Sequence, residues 1–437
     1  MVLRRFINRT GKKTAEFLFR RMARFSALGF ADLKGESEDE SLLSARLPSW
    51  NAAAEDYFRR QSACAEHDSR KPWLPDASSG RLIAKLGWVL SELVFGEHLV
   101  VLDFGCGLGW LSRLLHRLEF NVFGLDVSPT ALEYAAGEAL RDPLPGSPHF
   151  QRFLPYDGRA FPLPDAAVHF IISFDAFHHV PNQGDVLKEM HRVLTPGGKL
   201  ILSEPGIGHS AEASTAEDVT NFGVLEREVR IPDFEKKARA AGFEEIYLKP
   251  CPVHTDEKWP LGRCRDFFGG VIGPDDFLSL RRSMLSNPMF VCQKKGDLRS
   301  SYHHRALIEA GVEGLRAGPG EPLEIPCVLR NSGALAFLSG EHPPGGFVTI
   351  AVRVFEEGAN LSRETDGRML LEKDAAPGSE ARFIVRLSAP SRPGHFRIVI
   401  EPVYERFYWF REKGTKPADI PLIVEKRQAS RPGDLGR

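Results

Sequence analysis

A short apolar run that leads into a glycine-rich turn constrains the fold of this chain more than any other feature. Residues 99–104 have the composition of a buried strand, and Gly105, Gly107 and Gly109 follow before an amphipathic stretch begins. Glycine is needed where the backbone takes a positive φ angle or approaches a ligand closely. The pattern predicts a strand, a tight turn and a helix, with a ligand bound at the carboxyl edge of a sheet.

Apolar strands alternate with amphipathic helices between about residues 99 and 250. This alternation predicts an α/β fold with a doubly wound parallel sheet. The predicted strands are 99–104, 121–127, 168–174 and 199–204, and the predicted helices are 111–118, 129–140, 183–193 and 231–241. Residues 42–98 have helical patterns, and residues 289–293 have the pattern of a further strand.

After about residue 298, strand patterns separated by proline and glycine turns replace the helices, which predicts an all-β antiparallel sandwich. Its densest aromatic segment is 404–410, in which alternate side chains must fill the core. We expect Trp409 in the core and Tyr404 or Tyr408 on the exposed face. The predicted parts are a basic arm and linker (1–40), an α/β domain with a helical lead-in (41–297), a sandwich (298–427) and a disordered tail (428–437).

Charge is distributed unevenly, although the formal net charge of the 437 residues is only −1. Residues 1–30 carry eight basic side chains and one acidic one, so this arm carries +7 and the rest of the chain sums to −8. Its apolar residues recur at helical spacing, which is typical of helices that lie on an anionic membrane. The alternative, an arm that frays or packs on its own domain, is equally compatible with the composition.

The composition also bounds the class of protein and its compartment. The near-neutral balance argues against a dedicated nucleic-acid binder, and no apolar run reaches the roughly 18 residues that span a bilayer. Six cysteines without a C-x-x-C pair, and no signal peptide, favour a cytoplasmic protein, with the arm allowing peripheral contact at the inner face of the membrane.

Acidic residues follow the predicted strands at the same sheet edge as the glycine turn. Asp103 ends the first strand, Asp126 ends the second, and Asp157 with Gly158 precedes a later one. The spacing G-x-G-x-G after an acid differs from the dinucleotide pattern G-x-G-x-x-G, and the acid would repel a pyrophosphate. Asp126 could accept hydrogen bonds from both ribose hydroxyls and Asp157 could face a purine edge, whereas the alternative is that these acids only cap turns and helices.

The segments 103–109, 124–126, 173–180 and 192–200 resemble the motifs of class I S-adenosylmethionine-dependent methyltransferases, in the expected order. The resemblance covers about residues 80–250 and implies a seven-stranded sheet with S-adenosylmethionine over the ends of its first strands. The cofactor-binding residues that it implies are Asp103, Gly105, Cys106, Gly107, Gly109, Asp126, Val127, Asp157, Gly158 and Asp175. We expect Cys106 to pack in the turn as a small side chain.

A hydroxyl acceptor must lose a proton to a base close to the transferred methyl group. The candidates that follow the fourth and fifth strands are His178, His179, Glu204 and His209, and either of the paired histidines could instead serve only in packing and capping. No metal site is expected. Cys251, His254 and Cys264 lack a second ligand pair at a standard interval, and His303 and His304 are expected to be surface residues of a linker.

The turns 330–333, 377–378 and 393–394 resemble those of the immunoglobulin-like carbohydrate-binding domain attached to the ATPase subunit of O-antigen exporters. This resemblance implies a saccharide acceptor, in a surface polysaccharide or a lipid-linked glycan. Two alternatives stay open. The acceptor could be a lipid, a quinone or another small metabolite, or the chain could be a carbohydrate-binding scaffold without catalytic activity.

Overall fold

The structure, a computed structural model, describes residues 40–60, 68–76, 78–96, 98–142, 147–249, 260–270, 285, 287–340, 345–357 and 367–425. The predicted arm (1–30), the predicted tail (428–437), Cys251 and His254 lie outside these residues. Among the residues described, every helix is too short or too polar to cross a membrane.

The first part of the chain forms one sheet of seven strands in the order β3-β2-β1-β4-β5-β7-β6. All neighbours are parallel except β7, which runs antiparallel to both β5 and β6. β1 is buried throughout because helices cover both faces of the sheet. The predicted doubly wound, seven-stranded fold is confirmed. The strands are β1 (Val100–Phe104), β2 (Asn121–Asp126), β3 (Gln151–Pro155), β4 (Val168–Phe174), β5 (Leu194–Ser203), β6 (Glu245–Lys249) and β7 (Met289–Gln293).

The helices predicted around the glycine turn begin and end within two residues of their predicted bounds. α5 begins where Ser128 accepts a hydrogen bond from the Ala131 N–H and Pro129 starts the first turn. α7, β3 and β6 were not predicted, because they are partly exposed and lack a continuous apolar pattern. The helices are α1 (Glu40–Ala45), α2 (Leu47–Arg60), α3 (Ser78–Leu90), α4 (Trp110–Arg117), α5 (Pro129–Arg141), α6 (Gln183–Val193), α7 (Ala213–Phe222), α8 (Ile231–Ala240) and α9 (Leu261–Phe268).

The C-terminal part consists of two packed β-sheets, which confirms an all-β domain after the α/β domain. The smaller sheet has the order β13-β10-β8 and the larger one β12-β11-β14-β16-β9, with β15 paired to β14. Burial alternates residue by residue along β10 and β16, as expected when one face covers a core. The strands are β8 (Ala306–Ala310), β9 (Leu315–Ala317), β10 (Pro322–Asn331), β11 (Val348–Glu356), β12 (Gly367–Leu370), β13 (Glu380–Ser388), β14 (Gly394–Tyr404), β15 (Tyr408–Trp409) and β16 (Ala418–Val424).

Two predictions for this part were wrong. Tyr404 and Tyr408 are 2% and 5% exposed and belong to the core, whereas Trp409 lies on the other face, beside three arginine side chains. The predicted alternation of side chains between the two faces of the strand was correct, but the alternation does not show which face packs into the core. His304, expected on the surface, is 2% exposed, and its Nδ1 lies 2.7 Å from the Tyr408 hydroxyl oxygen. This partner lets both polar groups be buried.

The sandwich packs against the amino-terminal edge of the seven-stranded sheet. Just before β4, the Ala166 carbonyl accepts a hydrogen bond from the Ala336 N–H. Just before β3, the Phe150 ring packs against Gly346, where a Cβ atom would lie 2.1 Å from the ring. Ala336 and Leu338 share one apolar core with the sheet. The glycine turn lies at the opposite edge, roughly 20 Å away along the seven residues of β4.

Candidate active site

A cavity of about 330 Å³ lies at the carboxyl edge of the sheet, above the glycine turn. Its floor is formed by the segments that follow β1, β2 and β4, and its roof by α2 and residues 218–226. The two parts of the roof meet where the Tyr57 and Phe222 rings lie 5.1 Å apart. The floor residues include Gly105, Cys106, Gly107, Asp126, Val127, Asp175 and Ala176, and the roof residues include Trp50, Asn51, Tyr57, Phe58, Asp218, Leu225 and Glu226.

The glycine turn has the geometry that its composition predicts. Gly105 has a φ angle of 66°, and a Cβ atom there would lie 2.4 Å from the Cβ atom of Ala176. Gly109 takes a φ angle of 73° at the start of α4, where a Cβ atom would lie 2.8 Å from that of Ala135. Larger residues at these two positions would displace the backbone that lines the cavity.

Two buried carboxylates support the turn from different sides. Asp126 lines the cavity, and its oxygens accept hydrogen bonds from the N–H groups of Gly107 and Ser128, each at 2.9 Å. Asp103 lies beneath the turn, where the Ser112 hydroxyl donates to it at 2.6 Å. Burial raises the pKa of Asp103 to about 7 and also raises the pKa of Asp126. Asp126 is therefore placed to contact a ligand in the cavity, whereas the contact of the Asp103 carboxylate is with Ser112 of α4.

The residues after β3 are arranged differently from the sequence-based expectation. The exposed Asp157 carboxylate accepts hydrogen bonds from the N–H groups of Arg159 and Ala160, so it stabilises its own turn. Gly158 lines the cavity, and the Asn51 side chain donates to the Asp157 carbonyl oxygen. Contact of the Asp157 carboxylate with a purine stays a prediction that this geometry does not support.

Cys106 is buried within the turn, and burial raises the pKa of its thiol well above the usual value. A thiol in this environment is not a nucleophile.

Asp175, which follows β4, lines the cavity and takes a φ angle of 51°, in the left-handed region that non-glycine residues adopt infrequently. The amino group of Lys85, a 6% exposed residue of α3, donates to the Asp175 carboxylate at 2.6 Å. This ion pair fixes the carboxylate at the cavity floor. The contact of Lys85 with the site could not be predicted from the sequence, because Lys85 belongs to the helical lead-in, 90 residues before Asp175 in the chain.

The structure brings the four candidate bases together around one further residue, Glu226. His179 lines the cavity, whereas His178 and Glu204 are buried behind it, and the His178 Nδ1 lies 2.9 Å from a Glu204 oxygen. The Nε2 atoms of His178 and His209 lie 3.3 Å and 2.9 Å from the same Glu226 oxygen. Glu226 was not predicted from the sequence, because it lies in an irregular segment between α7 and α8 without a recognisable motif.

Charges within the cluster separate the roles of the two adjacent histidines. Burial opposes a charge on His178, but hydrogen bonds and attraction from Glu204 and Glu226 outweigh it and raise the pKa of His178 to about 9. His178 is therefore a cation between two carboxylates near neutral pH. Desolvation and the positive charge of His178 lower the pKa of His179 below its usual value, so His179 stays neutral.

A backbone contact determines which nitrogen of His179 carries the proton. Its Nδ1 lies 2.7 Å from the Leu225 carbonyl oxygen, so Nδ1–H donates, and the Nε2 lone pair has no hydrogen-bond partner among the residues that the structure describes. The side chain is 44% exposed within the cavity wall. A neutral imidazole with a free lone pair beside a cavity can accept a proton from a bound molecule.

Comparison with known proteins identifies the α/β part. Residues 102–202 match a family model described as a methyltransferase domain. The 27-O-demethylrifamycin SV methyltransferase of Amycolatopsis mediterranei is 27% identical over 198 residues, 44% of this chain and 70% of that protein. The 2-methyl-6-phytyl-1,4-hydroquinone methyltransferase of Synechocystis sp. is 33% identical over 105 residues, 24% of this chain and 31% of that protein.

The chain spans about half the length of several further curated methyltransferases. Among solved structures, it resembles the Haemonchus contortus phosphoethanolamine N-methyltransferase 2 in complex with S-adenosyl-L-methionine. The identity is 17%, the TM-score is 0.36, and the match covers 49% of this chain and 52% of that chain. From the matched family model and the motifs of the glycine turn, the chain carries a class I S-adenosylmethionine-dependent methyltransferase domain, with S-adenosylmethionine as its cofactor.

Proposed function

We propose that the protein is an O-methyltransferase that methylates a hydroxyl group of a saccharide, in a surface polysaccharide or a lipid-linked glycan. The observation that carries hydroxyl methylation is the free Nε2 lone pair of His179 in the same cavity as the glycine turn. In this proposal, His179 accepts the hydroxyl proton as the oxygen attacks the methyl group.

The residues of the cavity fit the cofactor. The positive φ angles of Gly105 and Gly107 let the backbone approach a ligand closely, and Asp126 offers carboxylate oxygens to ribose hydroxyls. When bound, S-adenosylmethionine supplies a methyl group already activated by a sulfonium. The remaining tasks of this chain are to align the acceptor hydroxyl, to exclude water and to take up its proton.

The roof and the cluster perform these tasks. Residues of α2 and of the segment 218–226 line the cavity, and in this proposal they limit the access of bulk water to the reacting groups. Glu226 lies within hydrogen-bond reach of both His178 and His209 and so holds the cluster behind His179. His178, already a cation between two carboxylates, is poorly suited to accept a second proton. Of the four candidate bases, His179 lines the cavity, whereas Glu204 is engaged by Ser173 and His178, and His209 by Glu226, so we assign the proton acceptor to His179.

Two observations bear on the acceptor. The cavity combines aromatic rings, such as Tyr57 and Trp110, with polar groups, such as Lys71 and Asp218, and sugars are recognised by this combination of stacking and hydrogen bonding. The sandwich, however, lies at the opposite edge of the sheet. A glycan that contacts both regions must be roughly 20 Å long or more, so the saccharide proposal favours a polymer over a monosaccharide.

A small apolar metabolite, such as a quinone or a lipid, is the second candidate. It is favoured by the apolar lining residues Leu82, Val224 and Leu225, and by the named acceptors of the hydroquinone and rifamycin methyltransferases among the relatives. For either acceptor we propose a cytoplasmic location, with peripheral membrane contact through residues 1–30.

Methyl transfer from radiolabelled S-adenosylmethionine tests both candidates. The acceptors are saccharides of increasing length, a lipid-linked glycan and a hydroquinone, each assayed with the native protein and with His179→Asn. Incorporation of label into the long saccharides by the native protein, but not by His179→Asn, would support the proposal. Incorporation into the hydroquinone alone would show that the acceptor is a small metabolite and not a saccharide. A calorimetric titration that detects no S-adenosylmethionine binding would contradict both and leave a carbohydrate-binding scaffold.

A further inference from the structure

We propose that His178, His179 and Glu226 bind one divalent transition-metal ion at the acceptor end of the cavity. The inference rests on the proposed function, since it assigns the means by which the same cluster would activate a hydroxyl group. No metal site was expected from the sequence, where the possible ligands Cys251, His254 and Cys264 lack a second pair at a standard interval. Glu226 joins the two adjacent histidines only in the folded structure.

The ligand atoms of the three residues are close enough for one ion. One ligand atom from each residue lies within 4.8 Å of the others. The His178 Nε2 and the Glu226 Oε2 atoms are 3.3 Å apart. Two ligands of a tetrahedral ion with bonds of about 2.0–2.1 Å lie roughly 3.3 Å apart, so this pair already has the required separation.

Both histidines make a hydrogen bond through their second ring nitrogen, as metal-binding histidines usually do. The His178 Nδ1 contacts Glu204 at 2.9 Å, and the His179 Nδ1 contacts the Leu225 carbonyl at 2.7 Å. A histidine that binds a metal through one nitrogen almost always donates the other N–H to a carboxylate or a carbonyl. We therefore assign the Nε2 atom of both histidines to the ion, which would replace the proton that the His178 Nε2 shares with Glu226. Glu226 also lies near the other nitrogen of His179, since its Oε1 atom is 3.6 Å from the His179 Nδ1.

The ligand types and the surrounding charge indicate the class of ion. Two imidazoles and one carboxylate suit Zn²⁺, Fe²⁺ or Mn²⁺ and leave open coordination positions. The carboxylates of Glu204 and Glu226 supply two negative charges, which a divalent ion balances while both imidazoles stay neutral. His179 is 44% exposed in the cavity wall, so an open position of the ion can face a bound acceptor.

The ion would change how the hydroxyl is activated. An acceptor oxygen bound to the ion loses its proton to water at a lower pH than a free hydroxyl does, because the positive charge stabilises the alkoxide. The oxygen then attacks the methyl group, and the electron pair of the broken carbon–sulfur bond stays on sulfur. In this state His179 is a ligand, whereas without the ion it is the proton acceptor.

Binding of Co²⁺ and Zn²⁺ to the tag-free, metal-stripped protein tests the site without acceptor or cofactor. We expect one equivalent of Co²⁺ to produce visible absorption bands that Zn²⁺ displaces. Glu226→Gln, which keeps the shape of the side chain, and His179→Asn should each weaken binding at least tenfold. His395→Ala, an exposed histidine of the sandwich, is the matched control and should bind as the native protein does.

No saturable binding, or binding equal in all four proteins, would overturn the metal site. Loss of methyl transfer on chelation, with recovery when the ion is returned, would support its role in activation, and unchanged turnover would overturn that role. The two proposals fail separately. Absence of ion binding leaves methyl transfer through His179 intact, whereas a protein without methyl transfer can still be shown to bind the ion.

Discussion

The two edges of the seven-stranded sheet each carry a group of histidines, and the groups differ in what surrounds the rings. At the carboxyl edge, His178 lies between Glu204 and Glu226. At the amino edge, His169 and His304 are buried against backbone carbonyls and aromatic rings, without a carboxylate partner in any hydrogen bond found among the described residues. We therefore expect the pKa of a buried histidine to be raised at the carboxyl edge and lowered at the amino edge, because only the carboxyl edge provides carboxylate partners within the described part of the chain.

The pKa values express this difference. Desolvation lowers the pKa of His169 to about 4 and that of His304 to about 3, so both stay neutral. His169 of β4 contacts the Ser301 carbonyl, and His304 contacts the Ala336 carbonyl and the Tyr408 hydroxyl. Two carboxylates raise the pKa of His178 to about 9. The comparison shows that burial lowers the pKa of a histidine unless neighbouring carboxylates outweigh it, as they do at His178.

The largest expected effect is on turnover at the carboxyl edge. His179→Asn should lower methyl transfer by about 10²–10⁴-fold, because the proton acceptor is removed while the cofactor-binding turn is untouched. Its affinity for S-adenosylmethionine, measured by calorimetry, should change less than about threefold. His304→Asn is the matched control at the amino edge, and a comparable loss of turnover there would erase the proposed division between the edges.

The next effect concerns stability at the amino edge. Phe150 is fully buried between the sheet and Gly346, so Phe150→Ala should lower the free energy of unfolding by about 3–5 kcal/mol. Urea denaturation measures this change. Phe383→Ala, on a partly buried face of the sandwich, is the control and should cost less. Equal costs would contradict a shared core between the two parts.

The two histidine groups should respond to pH in opposite directions. The pKa of His304 is lowered to about 3, so its contribution to stability is complete above pH 6.5 and is lost as the pH falls toward 3. The pKa of His178 is raised to about 9, so its contribution is complete below pH 6.5 and is lost as the pH rises through 9.

Urea denaturation between pH 5 and pH 8.5, with the native protein, His304→Asn and His178→Asn, measures these dependences. The difference from native should shrink with acid for His304→Asn and with base for His178→Asn, by up to about 1.4 kcal/mol per pH unit. Parallel pH profiles for the two variants would show that the surroundings of the two histidines do not differ as described.

The smallest effects separate two acids of the carboxyl edge. Asp126→Asn should weaken S-adenosylmethionine binding about tenfold or more, because a charged acceptor in the cavity is lost. Asp157→Asn should change it less than about threefold, since an amide oxygen can still accept the hydrogen bonds of the turn. A tenfold loss of S-adenosylmethionine affinity in Asp157→Asn would instead support the predicted contact of the Asp157 carboxylate with the purine.

Local patterns were sufficient for the sheet interior and the glycine turn. β4 and α6 agree with their predicted bounds, because a continuous apolar run and a 3.6-residue period each permit one type of element. The edge strands β3 and β6 were missed, since partly exposed strands carry mixed residues. The predicted positions of Trp409 and Tyr408 were the reverse of those observed. Alternation shows that neighbouring side chains lie on opposite faces of the strand, but it does not show which face is buried.

The sequence by itself determined the α/β and all-β classes, the turn built from Gly105 to Gly109, and the adjacency of His178 and His179. Only the tertiary structure brought Lys85 to Asp175 and Glu226 to three histidines, and only it placed the sandwich at the edge opposite the cavity. The physical reason is the range of the interactions. Strands, turns and helices depend on neighbours a few residues apart, whereas charge partners and docking surfaces come from segments distant in the chain.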